Sequence, residues 1–279
     1  MANNYRIAGS SNWTDIAYWS LGAAPIAADT PFFRVGADTL DTNLPGLAAG
    51  INYAGLIVKE SFEGRIGTSS NKLYVGSIPT VNFNGERCQE CFLCVDTADT
   101  ITSFLVKSTG TLADALNLNG PGTITNLRLY GSRSLVTGNT LVLTNLYATP
   151  TTGAPALARI GAGTTLANAY IDGGYIKNYV AIGTLLQLTD GTWEHTGTSA
   201  INIATVNQWG GTMRLWAQGG TTTTYNLYGG TLDCNGGDGT PRTITTLNQE
   251  GGHVNLSGLG STMVINTWNR NAGTYSYDP

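Results

Sequence analysis

The residues best suited to chemistry in this chain are three clustered cysteines, two histidines and a few carboxylates set beside aromatic rings. Cys88, Cys91 and Cys94 form a C-x-x-C-x-x-C run, with Cys234 distant in sequence. Thiolates so spaced converge on zinc or an iron–sulfur cluster when the backbone is a tight loop. Here the run Glu86-Arg87-Cys88-Gln89-Glu90-Cys91-Phe92-Leu93-Cys94-Val95 reads as a strand or a bend, and on one extended strand Cys88 and Cys94 share a face while Cys91 points away. The reading taken is reduced, buried thiols, with no metal and no other cofactor. His195 falls in a column of buried residues and His253 in an outward one. Neither completes a Ser/His/Asp or paired-histidine constellation. Asp172, Asp190 and Glu250 sit one or two residues before a glycine at the same kind of turn, where other copies carry Trp209 and Tyr228. Carboxylates beside aromatic rings suit a sugar chain, and acid pairs are how glycosidases cleave one. Asp, Asn and Gly are equally what tight turns use.

Those residues are positioned by a repeat. From about residue 165 onward a pattern returns at roughly twenty-residue spacing. Asp190-Gly191-Thr192-Trp193, Gly210-Gly211-Thr212-Met213, Gly229-Gly230-Thr231-Leu232, Gly251-Gly252-His253-Val254 and Ala272-Gly273-Thr274-Tyr275 align, after a looser copy ending Gly173-Gly174-Tyr175-Ile176. Two residues past the glycine lie Ile176, Trp193, Met213, Leu232, Val254 and Tyr275; two further lie Asn178, His195, Leu215, Cys234, Leu256 and Tyr277. That alternation predicts a strand with one buried face. Before the glycine, Val206, Tyr225, Leu247 and Trp268, each preceded by a threonine, predict a second strand. Between the two strands, Asn207, Asn226, Asn248 and Asn269 are expected at the turn, with their amides stacked into a ladder.

Like residues recurring once per coil identify an all-β fold, a single-stranded right-handed parallel β-helix of about nine to eleven coils. The stretches Thr123–Gly131 and Leu141–Tyr147 echo the order threonine, apolar, asparagine in weaker register. The predicted division is an aromatic-rich N-terminal cap or attachment segment over residues 1–40 and a β-helix over residues 41–279.

Composition limits the function classes. Charged residues make up 11% of the 279, and the net charge is −4, with Lys and Arg scattered, so no basic stripe offers itself to a phosphate backbone. No apolar run approaches the ~20 residues of a membrane span. Met1-Ala2-Asn3-Asn4-Tyr5-Arg6 lacks the charged and apolar regions of a secretory signal, which points to synthesis in a cytoplasm.

The first forty residues differ in kind. Asn12-Trp13-Thr14-Asp15 and Trp19-Ser20 are followed by Pro25, Asp29-Thr30 and the run Pro31-Phe32-Phe33-Arg34-Val35. An open β-helix end needs cover for its strand edges and core, which is one role for this stretch. Together with Asp38-Thr39-Leu40-Asp41-Thr42 and Phe62-Glu63-Gly64-Arg65-Ile66-Gly67-Thr68, it resembles the opening of β-helical virion proteins of tailed bacteriophages, and is also similar to some bacterial autotransporter-type passengers. A passenger would carry a leading signal and a trailing membrane barrel, and neither is expected here. In size and character the likeness is to the capsid cement, or decoration, proteins. It implies a non-enzymatic homotrimer that binds the major capsid protein and resides in the virion after synthesis in the host cytoplasm. Tyr5, Trp13, Tyr18, Trp19, Phe32 and Phe33 are then the expected shell contacts. A tail fibre or tailspike holding host glycans is the second reading, with Asp172, Asp190, Trp209, Tyr228 and Glu250 as its face. A bacterial adhesin-like surface protein is the third.

Overall fold

Alternation of apolar and polar side chains gives each strand of this chain one face to bury, and a strand too short to bury it alone must stack on copies of itself. The computed structural model describes residues 3–6, 12–34, 39–41, 44, 52–108, 115–130, 135–138, 140–149, 157–197, 200–216, 219–235, 241–257 and 263–277. They form a parallel β-solenoid of about 9 turns, each of about 21 residues. Each regular coil contributes one strand to a first sheet and, past a glycine corner, one to a second. The first sheet stacks Ile203–Gln208 on Thr221–Leu227, Arg242–Gln249 and Met263–Arg270. The second stacks Thr212–Leu215 on Thr231–Asp233, His253–Asn255 and Thr274–Ser276. In the two preceding coils, Thr165–Asn178 and Ile182–His195, one long strand turns the corner without a break.

Register is residue on like residue. Thr205, Thr224, Thr246 and Thr267 are partners, as are Val206, Tyr225, Leu247 and Trp268. The corner admits only glycine where it is tightest. Gly211 has φ +65°, and a Cβ there would lie 2.4 Å from the Gly191 carbonyl oxygen of the coil below.

Two expectations about asparagine are corrected. Asn207, Asn226, Asn248 and Asn269 lie within the first-sheet strands rather than at the turn. The next inward position is still core: Gln208, Leu227 and Gln249 are fully buried, and the chain turns only after them. The earlier echo is also displaced. Asn126, Asn145 and Asn168 are partners of one another and then of Leu185 and Thr205, so they occupy the threonine column, two residues ahead of the later ladder.

The ladder also begins before residue 41. Asn3–Arg6 pairs with Thr30–Phe33, Phe32 and Phe33 pair with Ile57 and Val58, and Thr39–Leu40 pairs with Arg65–Ile66. The described strands within residues 1–40 therefore share the stacking of the β-helix. Val35, Asp38 and Thr42 lie outside the described residues. At this end Trp13 and Trp19, both 2% exposed, pack edge to face at 5.0 Å, and Phe33, Tyr53 and Phe62 complete the cluster. Trp19 Nε1 donates to the Trp13 carbonyl at 2.8 Å, and an antiparallel bridge from Arg6 to Trp19 covers the outer edge of the first strand. The last described coil carries large exposed apolar side chains. Val264, Tyr275 and Tyr277 are 42%, 51% and 65% exposed in the last coil.

Candidate functional site

Where the first sheet ends, each coil places one outward side chain at the corner, and these side chains form a ridge along the rod. Asp172 leads, its Oδ1 accepting from the Thr189 hydroxyl at 2.9 Å, with Asp190 as its register partner one coil on. Trp209 and Tyr228 follow, stacked at 5.2 Å with their planes 17° apart, and 46% and 44% exposed. Glu250 comes next, its Oε1 accepting from Asn271 at 2.7 Å. All five residues of the expected sugar face thus share one edge. Two features shape what that edge can do. The stack takes up one face of each ring, so a pyranose, which packs on a ring face, has only the two outer faces of the pair to meet. Each carboxylate is also engaged locally, Asp190 with its own corner at Gly191 N–H, 2.7 Å away.

On the outer face of the first sheet a second column runs Arg128, Tyr147, Tyr170, Gln187, Asn207, Asn226, Asn248 and Asn269 in register. The Arg128 guanidinium lies 4.3 Å from the Tyr147 ring centroid, and Tyr147 stacks on Tyr170 at 5.0 Å. Asn226, Asn248 and Asn269 each donate to the oxygen of the amide below, beginning with Asn207, at 2.8 Å. The offset ladder of Asn126, Asn145 and Asn168 does the same at 3.2 and 3.1 Å.

The six N-terminal contact residues separate into two groups. Trp13, Trp19 and Phe33 are core, so their bulk holds the end of the solenoid and is not available to a partner. Tyr5, Tyr18 and Phe32 reach the surface. Tyr5 and Phe32, 4.8 Å apart, line a cleft of about 380 Å³ with Arg34, Lys59, Glu60 and Ser61.

Comparison with protein families, with curated proteins and with solved structures finds no match.

Of the strand and bend readings of the cysteine run, Cys88 takes the bend and Cys91–Val95 the strand. The strand begins only at Cys91, so Cys88 lies in the preceding turn and its thiol meets that of Cys91. Burial, and then Cys88, push the Cys91 thiol pKa well above its usual value. Cys94, three residues along the same strand, lies on the other face beside Tyr74. Among the described residues no three metal-type ligands gather. His195 is fully buried, with Asn178 Nδ2 3.2 Å from its Nδ1. Burial, and then the charge of Arg242, hold its pKa well below 6.5. His253 bridges Thr274 and Ser276 at 2.8 and 3.2 Å.

Three features escaped the sequence reading. One is a charge column on the second sheet, where Lys177, Glu194, Arg214 and Asp233 are successive partners. Glu194 is 4% exposed and meets Lys177 Nζ at 3.3 Å, Arg214 Nη1 at 3.5 Å and the Tyr175 hydroxyl. Its signal was the alternating sign in the position after each inward residue. Another is Gln208, whose Nε2 donates to Gly210, Gly211 and Thr231 carbonyls at 3.2, 3.1 and 3.0 Å and so ties the corner from inside. The third is Arg242, 2% exposed, whose guanidinium reaches the Gly219 and Ile201 carbonyls at 3.1 and 3.2 Å. Burial brings its pKa down to about 10. A long cation that reaches back across two coils leaves no periodic trace.

Proposed function

We propose that this chain is a structural, non-enzymatic component of a phage particle, a cement protein that binds the major capsid protein of the head shell as a homotrimer. The observation that carries the reading is the pair of outer columns, amide ladder and aromatic ridge, that repeat one kind of contact at every coil along a stiff rod. Many weak contacts at ~4.8 Å intervals add through multivalency, which suits a clamp across several subunits. The carboxylates on the ridge are occupied as hydrogen-bond acceptors at corners, and the resemblance of the N-terminal stretch to β-helical virion proteins agrees with this use. Tyr5, Tyr18 and Phe32 are the contact residues assigned to the N-terminal end. The test is cosedimentation with particles stripped of the protein. The wild type should rebind, and a Tyr18→Ala/Phe32→Ala double variant should lose on the order of tenfold in affinity, about 1.4 kcal/mol. Rebinding unchanged in that variant moves the contact to the flank, and absent rebinding of the wild type ends the proposal.

The exposed Trp209–Tyr228 pair beside Asp172, Asp190 and Glu250 favours a second reading, a tail fibre or tailspike that binds host glycans. Release of reducing ends from a surface polysaccharide, lost in Asp190→Asn or Glu250→Gln, would establish that reading over the first.

A further inference from the structure

Two thiols of the cysteine run meet inside the rod, and the shell reading makes no use of them. Cys88 lies in the turn that joins the first-sheet strand Ile78–Asn84 to the second-sheet strand Cys91–Val95. Its N–H donates to the Gly85 carbonyl at 3.1 Å, which closes the turn. A Cβ at Gly85 would stand 2.7 Å from the Cys88 sulfur and 2.7 Å from the Phe83 ring, so glycine at that position makes the room in which the thiol sits. Cys91 opens the strand, its N–H donating to the Ala115 carbonyl at 2.8 Å and its backbone paired with Ile66 on one side and Leu116 on the other. The backbone therefore fixes both cysteines, one from the turn and one from the sheet.

The two thiols hydrogen-bond to each other, and both belong to the core, Cys88 2% and Cys91 0% exposed. Cys94 hydrogen-bonds instead to Tyr74 on the other face of the strand, and Cys234 is buried beside Arg242 many coils away. A thiol donates and accepts weakly, so two small apolar side chains would fill the same space about as well. What the pair adds is reach, since two sulfurs already in hydrogen-bond contact need only small side-chain rotations to bond.

We infer that Cys88 and Cys91 form a redox latch, two thiols under reducing conditions and a disulfide that locks this corner of the solenoid when the chain meets a hydroperoxide. The Cys88 sulfur attacks the peroxide, the O–O bond breaks, water leaves and a sulfenic acid remains. The Cys91 sulfur then attacks the Cys88 sulfur, the S–O bond breaks, and a second water leaves with the Cys91 proton. Two thiols and one hydrogen peroxide thus give one disulfide and two waters, and the two electrons lost by the sulfurs are taken by the peroxide oxygens. Burial, and then Cys88 beside it, raise the Cys91 thiol pKa, so Cys91 is the poorer nucleophile and acts second. Both sulfurs are shielded, so the reaction waits on brief opening of the turn. The link removes conformations from the unfolded chain and ties the strands of the two sheets together at one corner. The inference stands apart from the shell reading, since a rod of either proposed use gains from such a latch.

The experiment treats the full chain, reduced and then freed of reductant, with hydrogen peroxide, quenches it in acid, and alkylates it after denaturation. The expected result is that two of the four cysteines, Cys94 and Cys234, remain open to alkylation. The tryptic peptide from Cys88 to Lys107 should be lighter by two hydrogens, with the link placed between Cys88 and Cys91 by fragmentation. The melting temperature should rise by several degrees, and dithiothreitol should reverse both changes. Cys94→Ser should keep the link and the rise, while Cys88→Ser, folded by far-UV circular dichroism, should lose both. The mapped link in the wild type is a readout that needs no variant to fold. Four thiols left open, a sulfinic acid at Cys88, or a link that runs to Cys94 overturns the inference. A melting temperature unchanged or lowered by the link, or a rise that survives in Cys88→Ser, overturns it as well. None of these outcomes bears on particle binding, which the cosedimentation assay reads separately.

Discussion

Asn226 both donates to Asn207 and accepts from Asn248, whereas Asn269 at the end of the ladder makes only the donor contact with Asn248. Each amide bond contributes about 0.5–1.5 kcal/mol, so Asn226→Ala, with two part-buried bonds, should cost ~1–2 kcal/mol and Asn269→Ala, with one exposed bond, half of that or less, read from urea midpoints. Equal losses would mean that the amides act singly and not as a ladder. His195 supplies a pH signature. Its folded pKa is depressed, by burial and then by Arg242, so the unfolded chain takes up a proton near pH 6.5 that the folded chain refuses. Stability is therefore complete above that value and is lost as pH falls below it, at up to ~1.4 kcal/mol per pH unit. His195→Leu, which copies Leu215 of the next coil, should flatten this part of the profile between about pH 5 and 6.5. An unchanged slope would show that the imidazole is not buried neutral. On the alkaline side burial pushes the Cys234 thiol up from 9.0 to about 12. The unfolded chain then ionises first, and stability should fall again above pH 9.

Strands and corners hold the solenoid through inward columns. Leu232 and Val254 are register partners with no exposure, so an aspartate at either would bury an unpaired charge. Leu232→Asp should cost about 3–5 kcal/mol and most of the soluble protein, while the same change at half-exposed Tyr228 should cost under about 1 kcal/mol. Equal melting of the Leu232 variant and the parent would contradict the column assignment. Gly211→Ala tests the corner: positive φ and a backbone carbonyl 2.4 Å from the new Cβ should together lower the melting temperature by several degrees, on the order of 1–3 kcal/mol. These elements were legible because a repeat writes each position several times, as in Met213, Leu232 and Val254. Where a column changes residue type, legibility failed. Asn126 was matched to Asn207 by identity, yet it stacks on the line of Thr205, because backbone register aligns columns and residue type does not. Between the strand and bend readings of the cysteine run the sequence could not choose, because period-two alternation holds only within a strand, which begins at Cys91, three residues past Cys88.

At the scale of the whole molecule the two ends are unlike. The N-terminal end is closed by the Trp13–Trp19–Phe33 cluster and the Arg6 bridge, whereas Val264, Tyr275 and Tyr277 stand exposed in the last described coil. Hydrogen exchange should accordingly be fastest in Met263–Arg270 and slowest in central strands such as Val142–Ala148. Trp13→Ala should cost about 3–5 kcal/mol and raise exchange in Thr30–Phe33 first, because it opens a cavity beneath the closed end. A rod of about 9 turns at ~4.8 Å is roughly 43 Å long, rigid enough to bridge neighbouring subunits without folding on contact. Its proposed role as a shell clamp is tested most directly by a cryo-electron microscopy map of particles that carry the protein. The account predicts solenoid rods on the outside of the head, clustered in threes about a common axis, with Tyr5, Tyr18 and Phe32 against the shell. Solenoid density confined to the tail or its fibres, or a head surface bare of it, would contradict the account.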